Sequence, residues 1–464
     1  MSNSNMDLGK DKVGSLLFKL ALPAIIAQLV NVLYNIVDRI FIGRMPSGEL
    51  AMAGVGVAFP IIMIISACSA LIGMGGAPLA AIKMGEKDND GAEKIVSNSF
   101  STLVLMGLTL TVGLLIFKEP ILWAFGASDQ TIGFANDYLT IYLIGTIFVQ
   151  IALGMNPFIN TQGFAKIGMV TVMVGAVINI VLDPIFIFGL GMGVKGAALA
   201  TILAQAVSAI WVLFFLFGKK SILKIRKKHI IPNPKVVLGI MALGVSPFIM
   251  QATESLVLIS LNNQLKVYGG DLAIGAMTIM SSIMQIIMLP LMGLTQGAQP
   301  IISYNYGGKQ IDRVKKTFKL LITCCLAYTT FMWGSLMLFP GVFVGIFNND
   351  PQLMAITSWS IKIYFAGIFL FGAQSACQQT FLALGQAKIS LILALLRKII
   401  LLIPLIFILP IFFTGDQAKL QAVLTAEPIA DILAALSTIT CFTIFYKRTL
   451  NEDSNIALKN RDTL

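Results

Sequence analysis

The 464-residue sequence has few of the side chains that most enzymes use. Its single histidine, His229, lies in a Lys/Arg-rich segment, so a histidine-based metal or catalytic site is excluded by count. The five cysteines fall inside apolar segments without C-x-x-C spacing, which predicts neither a disulfide framework nor a zinc ribbon. No P-loop sequence occurs, so the chain carries no ATPase of its own. We therefore expect neither an enzyme nor a protein with a bound cofactor or structural metal.

Charged residues are also scarce, at 12% of the chain against 57% apolar residues. A soluble protein of this length could not bury so much apolar surface. At about 20 apolar residues per membrane-spanning helix, the composition predicts roughly a dozen spans. The net charge of +11 does not indicate nucleic-acid binding, because basic cytoplasmic loops meet anionic lipid and set the topology of a membrane protein.

The apolar segments predict an all-α polytopic membrane protein with twelve transmembrane helices. Their approximate bounds are 15–43, 52–82, 95–117, 131–157, 168–189, 194–217, 237–265, 273–303, 317–340, 353–383, 389–412 and 419–446. The first segment follows a polar stretch without a small-residue cleavage site, so we expect a retained span rather than a signal peptide.

The basic residues are distributed unevenly between the predicted loops. Of the 33 Lys and Arg, 23 fall on the side that holds both ends of the chain, five fall on the other side, and five lie within spans. The positive-inside rule therefore predicts that both termini are cytoplasmic.

The twelve spans divide into two repeated halves. With an offset of 222 residues, Pro78 falls on Pro300, Tyr142 on Tyr364, and the Gly163 turn on its second-half counterpart. Six spans per half, an even number, make this a parallel repeat, with the cavity expected between the halves near the midplane. The predicted units are a first lobe at 1–217, a basic linker at 218–236, a second lobe at 237–446 and a cytoplasmic tail at 447–464. The linker is either a charged tether, an interfacial helix or a lipid-binding patch.

The first half contains acids that the second half lacks. Gln28, Asn31, Asn35 and Asp38 recur at spacings that place them on one face of the first span, and a second set in the fifth and sixth spans is expected at the same depth. That set is Asn179, Asp183 and Thr201. Carboxylates in lipid are costly, and two close together repel, so the pair is expected to take up a proton or share Na⁺. The alternative is a structural hydrogen bond made by each acid.

The second half has a different polar set. Arg397 in the eleventh span is expected to pair with Glu427 or Asp431 in the twelfth, either as a packing lock or with a role in transport. Glu254 in the seventh span faces either the cavity or the interior of the bundle, and it is the best single counter-charge for a cation.

The stretches YNIVDRIFIG, NIVLDPIFIFGLG and AEPIADIL, together with the six-plus-six arrangement, resemble the multidrug and toxic compound extrusion (MATE) family over essentially the whole chain. The resemblance implies a bacterial cytoplasmic-membrane exporter that exchanges amphipathic, often cationic, compounds for H⁺ or Na⁺ by alternating access, with a bend near Pro23. The family's first-lobe cation site falls on Asp38, Asn179 and Asp183, and Asn156 and Thr201 look like further members by position.

The remaining expectations concern the substrate and the alternatives. The residues expected to face the substrate are Gln28, Asn31, Asn35, Gln251, Glu254, Gln374 and Gln378. The tenth span offers glutamines where the family has an acid, which favours coupling in the first lobe.

The expected partners are small cationic drugs and membrane lipid, with the chain as a monomer. The alternative function is a flippase for lipid-linked cell-envelope precursors, and the sequence does not separate H⁺ from Na⁺.

Overall fold

The computed structural model describes residues 6–347 and 350–450, and this part of the chain is almost entirely helical, with no strand. The helices of the first lobe are α1 (Val13–Gly43), α2 (Gly48–Gly85), α3 (Asn89–Ala124), α4 (Ile132–Ile144), α5 (Thr146–Thr161), α6 (Ala165–Pro184) and α7 (Val194–Phe217). A wider π-helical turn, Ile185–Gly189, continues α6.

The second lobe repeats this order with one additional short helix, Pro340–Gly345. Its helices are α8 (Pro234–Gly270), α9 (Leu272–Gly307), α10 (Ile311–Leu338), α11 (Pro340–Gly345), α12 (Pro351–Tyr364), α13 (Ile368–Ala383), α14 (Ala387–Phe412) and α15 (Asp416–Leu450). Gly270 separates α8 from α9 with a left-handed φ of 60°. A π-helical turn, Leu396–Leu402, lies inside α14.

Short polar side chains begin several of these helices. Asp88 accepts a hydrogen bond from Gly91 N at 2.9 Å, and Asp350 accepts one from Leu353 N at the same distance. At the start of α8, which begins with Pro234, Asn233 Oδ1 accepts a hydrogen bond from Lys235 N at 3.1 Å. These caps satisfy backbone N–H groups that have no partner inside the helix.

Ten single helices of the described chain are long and apolar enough to cross a membrane, and two bent pairs bring the number of spans to twelve. The predicted all-α architecture of twelve spans is thus confirmed. The predicted segments 131–157 and 353–383 are not continuous helices, however. The pair α4 and α5 is bent by 59°, and the pair α12 and α13 by 49°.

Both bends occur at a glycine, and the two glycines are 222 positions apart. Gly367 lies so close to α15 that a Cβ there would come within 3.1 Å of the Pro428 carbonyl oxygen, and a Cβ on Gly145 would collide with Ile202. Left-handed turns recur at the same offset, at Lys87 (φ 62°) and Lys309 (φ 56°). The repeat is therefore present in the backbone as well as in the sequence.

The two lobes meet on the side where the linker lies. A Cβ on Gly297 of α9 would come within 2.5 Å of Ala21 N of α1, and one on Gly293 within 2.7 Å of Ile25 N. Gly244 of α8 packs just as closely against Leu71 of α2. All of these contacts lie in the linker-side halves of their helices, so the cleft between the lobes is closed on that side.

The linker lies along the first lobe as an extended strap. Gln162 Oε1 accepts hydrogen bonds from Ile222 N at 2.7 Å, from Leu223 N at 2.9 Å and from the Ser221 hydroxyl at 3.0 Å. Leu223, a residue of this segment, is fully buried. Only Lys227–His229 forms a helical turn, so the segment is not an interfacial helix; it joins the two lobes while held against the first.

A charge pair also fixes the strap. Arg226 Nε donates to Glu93 Oε2 at 2.8 Å, and this hydrogen bond to the Glu93 carboxylate raises the pKa of Arg226 above its ordinary value. The guanidinium is therefore charged at physiological pH.

Candidate functional site

Two carboxyl groups from different helices meet inside the first lobe. Asp38, on the half of α1 far from the linker, lies within hydrogen-bonding distance of Asp183, near the end of α6. Asp183 is fully buried, and Asn179 Nδ2, one turn earlier on α6, donates to its Oδ1 at 3.2 Å. The same amide group lies 3.4 Å from Thr201 Oγ1 of α7. The structure therefore brings together four of the five predicted cation-coupling residues.

This cluster contains buried oxygen atoms without a hydrogen-bond partner. They are Asp38 Oδ1, Asp183 Oδ2 and Asn179 Oδ1. Buried polar atoms in native proteins are normally satisfied, so three orphaned oxygens in one cluster indicate a place for a ligand that donates a proton or positive charge. Carboxylate, amide and hydroxyl oxygens suit H⁺ or Na⁺. The described residues contain no group of three or more His, Cys, Asp or Glu side chains that could hold a metal ion. The only acidic groups in this cluster of described residues are Asp38 and Asp183.

Tyrosines that the sequence reasoning did not include surround the pair. Tyr138 of α4 lies beside Thr201 and close to Asp38. Tyr142, one turn further along α4, stacks on Tyr138 with ring centroids 6.2 Å apart. Tyr34 precedes Asp38 by one helical turn and also lies close to it. The signal in the sequence that could identify these tyrosines is their i, i+4 spacing: Tyr138 precedes Tyr142 by four residues, and Tyr34 precedes Asp38 by four.

Asn156 does not lie at this site, contrary to the prediction. Its Nδ2 donates to the Gly168 carbonyl oxygen at 3.2 Å, near the start of α6. Gly168 precedes Asn179 by 11 residues, which is about 16 Å along a helix. The prediction from position in the fourth span is wrong because α5 ends at Thr161 and α6 begins at Ala165, so the last turns of α5 lie beside the start of α6 rather than its end.

The polar stripe of α1 turns around the helix along its length. Gln28 Nε2 donates to Gln296 Oε1 of α9 at 3.3 Å and therefore faces the second lobe. Ten residues correspond to about 1,000° of rotation, so Asp38 points about 80° away from Gln28, toward α6. Asn35 is exposed and donates to the Asn31 carbonyl oxygen of its own helix at 2.6 Å. Helix α1 thus contacts the second lobe through Gln28 and contributes Asp38 to the acid pair about three turns further along.

The predicted substrate-facing glutamines of the second lobe differ in their surroundings. Gln251 Oε1 and Gln374 Oε1 are buried without a hydrogen-bond partner and are free to accept one. Gln378 Nε2 instead donates to the Ser390 carbonyl oxygen at 2.8 Å and to the Ser246 hydroxyl at 3.1 Å. Its donors hold α8, α13 and α14 together, so the structure does not place Gln378 on the cavity wall.

Glu254 is not a free counter-charge. Its carboxylate forms an ion pair with the ammonium group of Lys398 of α14, a pairing that the sequence does not predict. The Glu254 side chain is 72% exposed and that of Lys398 only 8%. The carboxylate therefore lies at the surface of the lobe, and the ammonium lies beneath it.

Arg397 contacts both acids that the sequence suggested as its partners. Its guanidinium donates to Asp431 Oδ1 at 2.7 Å and to Glu427 Oε1 at 3.0 Å. The guanidinium carbon also lies 4.7 Å from the ring centroid of Phe371. All three charged side chains are at least nine-tenths buried, so breaking the cluster would leave uncompensated charge inside the lobe.

Pro23 is buried within α1, and the helix continues through it from Val13 to Gly43. It lies between Ala21 and Ile25, the residues of α1 that pack against α9. A bend at this position remains a prediction.

The fold and the site define a polytopic membrane transporter made of two repeated six-helix lobes. The chain belongs to the MatE family, whose profile matches residues 23–185 and 246–408. The two matched stretches begin 223 residues apart, close to the repeat offset read from the sequence. This is a family of transporters, not of enzymes.

Similarity to individual proteins, in sequence and in fold, is consistent with membership of this family. The chain is 28% identical over 414 residues to the multidrug export protein MepA of Staphylococcus haemolyticus, covering 89% of this chain and 90% of that one. It is similar in fold to a solved structure of MATE in the straight conformation, with a TM-score of 0.89, 22% identity and coverage of 97% and 100% of the two chains. A second solved structure, an outward-facing multidrug resistance MATE transporter, gives a TM-score of 0.86 at 23% identity, with 96% and 100% covered.

Proposed function

We propose that this protein exports amphipathic cationic compounds across a bacterial cytoplasmic membrane in exchange for H⁺ or Na⁺, as a monomer with both termini in the cytoplasm. The observation that carries the proposal is the buried Asp38–Asp183 pair with its orphaned oxygens. The multidrug export name of the staphylococcal relative supports the substrate class. The excess of basic residues on the linker side supports the orientation.

The coupling between the two cargoes runs through α1. Cation binding neutralises the repulsion between Asp38 and Asp183 and holds the outer half of α1 against α6. Gln28, on the same helix, hydrogen-bonds to Gln296 across the lobe interface. A change in the position of α1 at the acid pair therefore changes the wall of the cleft and its contact with the second lobe. Linkage requires the drug and the coupling cation to weaken each other's binding by the same factor.

The alternative function, a flippase for lipid-linked precursors, fits the second lobe less well. A pyrophosphate group needs unpaired positive charge. Arg397 and Lys398 are both paired with carboxylates, and Arg397 is paired with two. This charge balance favours an export substrate that is not an anion.

The test is drug–cation exchange by purified protein in proteoliposomes with an imposed pH or Na⁺ gradient. Ethidium uptake into these proteoliposomes is expected from the wild type and is expected to be lost in Asp38→Asn. The matched control is Asp137→Asn, which removes an exposed carboxylate of the same lobe that pairs with Lys195 at 3.4 Å. Undiminished exchange in Asp38→Asn would rule out the coupling role, and the gradient that drives uptake identifies the ion.

A further inference from the structure

Glu254 faces the cleft between the lobes. Ile240 and Gly244 of the same helix pack against α2 of the first lobe. At about 100° per residue, Glu254 lies within about a quarter turn of that face of α8, and about 15 Å further along the helix than Gly244. It therefore lies beyond the zone where the lobes touch, on the side away from the linker. Its exposed side chain places a carboxylate on the cleft wall.

Lys398 approaches this carboxylate from inside the second lobe. Its ammonium group donates to the Met250 carbonyl oxygen at 2.8 Å as well as to Glu254 Oε2. An ammonium group has three donors, and a buried one must have a charge partner to avoid a large desolvation cost. The contacts show that Glu254 is that partner.

The adjacent basic residue does not share this role. Neighbouring residues on a helix point about 100° apart, so Arg397 reaches Glu427 and Asp431 of α15 while Lys398 reaches α8. Arg397 is occupied by two acids of its own. Lys398 is thus the base that neutralises the carboxylate on the cleft wall.

We propose that Lys398 is a specificity-determining residue that competes with a bound cation for the Glu254 carboxylate. A cationic ligand at Glu254 either displaces the ammonium group or binds beside it against its repulsion. The tethered ammonium therefore lowers the preference of the cavity for cations over anions of the same shape. This inference rests on the proposed transport of amphipathic cations, because it concerns the cavity in which they would bind.

Tetraphenylphosphonium and tetraphenylborate provide the test, since they have nearly the same shape and opposite charge. Binding of each is measured by equilibrium dialysis to the full chain in phosphatidylcholine nanodiscs, and the ratio of the two affinities is compared between variants. Lys398→Gln keeps a donor for the Met250 carbonyl oxygen but frees the carboxylate. We expect it to raise the cation-to-anion ratio by about tenfold, the order of a close charge–charge coupling.

Three further variants complete the design. Lys398→Arg keeps the charge and should keep the wild-type ratio. Glu254→Gln should lower the ratio, because the ammonium then acts alone. Lys362→Gln removes an exposed lysine of the same lobe and should leave the ratio unchanged. Thermal unfolding shows which variants are folded.

An unchanged or lower ratio in folded Lys398→Gln overturns the proposal, as does an equal rise in Lys362→Gln or in Lys398→Arg. The proposed function fails separately, if the wild type does not move cations in proteoliposomes. The variant ratios are still interpretable in that case, because they need binding and not transport.

Discussion

Asp38 and Asp183, 145 positions apart in the sequence, hold their carboxyl groups within hydrogen-bonding distance inside the first lobe. Neither has a basic partner among the described ion pairs, whereas Glu427 and Asp431 of the second lobe pair with Arg397, and Glu254 pairs with Lys398. The first lobe thus keeps an uncompensated acid pair, and the second lobe neutralises its acids internally. This asymmetry supports the proposal that cation coupling occurs in the first lobe.

The first prediction concerns cation release from this pair. Adding tetraphenylphosphonium to the wild-type protein in weakly buffered solution should release H⁺, or Na⁺ if that is the coupled ion, because the two cargoes bind antagonistically. In Asp183→Asn the release should be lost, and drug affinity should no longer depend on the concentration of the coupling ion. Couplings of this kind correspond to about 5- to 150-fold changes in affinity. Release equal to the wild type would show that Asp183 does not hold the ion.

The second prediction separates Na⁺ from H⁺. Thr201→Val removes a hydroxyl oxygen beside Asn179 without changing the size of the side chain much. A bound Na⁺ uses several oxygen ligands, whereas a proton needs one carboxylate. We expect Na⁺ affinity to fall by about tenfold or more, and H⁺-driven transport to be nearly unaffected. Thr171→Val is the control, because its hydroxyl bonds only within α6, to the Ile167 carbonyl oxygen. A loss of H⁺-driven transport in Thr201→Val alone would contradict this separation.

The architecture was predictable from the sequence because hydropathy and duplicated residues both report on it. Span number depends on the length of apolar segments, and the repeat left matching residues such as Tyr142 and Tyr364. Breaks within spans were not predictable, because Gly145 and Gly367 are ordinary residues in an apolar run. Their role depends on how closely a neighbouring helix approaches, which hydropathy does not show.

The candidate site was predictable only in part, for a similar reason. Costly residues such as Asp38 and Asp183 stand out in an apolar sequence. Which polar residues contact each other depends on their depth in the bundle, which decided the case of Asn156, and on helix rotation, which decided the case of Gln378. The pairing of Lys398 with Glu254 required knowing that α14 lies against α8 at that level.

The third prediction tests whether the Arg397 cluster is a packing lock. Arg397→Met leaves Glu427 and Asp431 buried without a counter-charge, which should lower the free energy of unfolding by about 3–5 kcal/mol. Adding Glu427→Gln and Asp431→Asn removes the uncompensated charge and should restore most of the loss. Thermal unfolding of the purified variants measures both effects. If the triple variant is stable and still transports, the cluster is structural. If it is stable but inactive, the cluster takes part in transport.

The fourth prediction concerns the strap that joins the lobes. Gln162→Ala removes the oxygen that accepts hydrogen bonds from Ser221, Ile222 and Leu223, two of which are buried. Unpaired buried donors cost about 1–3 kcal/mol, so the strap should detach from the first lobe before the helices unfold. Limited trypsin digestion should then cut between residues 218 and 236 much faster than in the wild type. Gln130→Ala, at an exposed glutamine of the same lobe, is the control. An unchanged cleavage rate would show that the other contacts of the strap, among them the Arg226–Glu93 pair, hold it without Gln162.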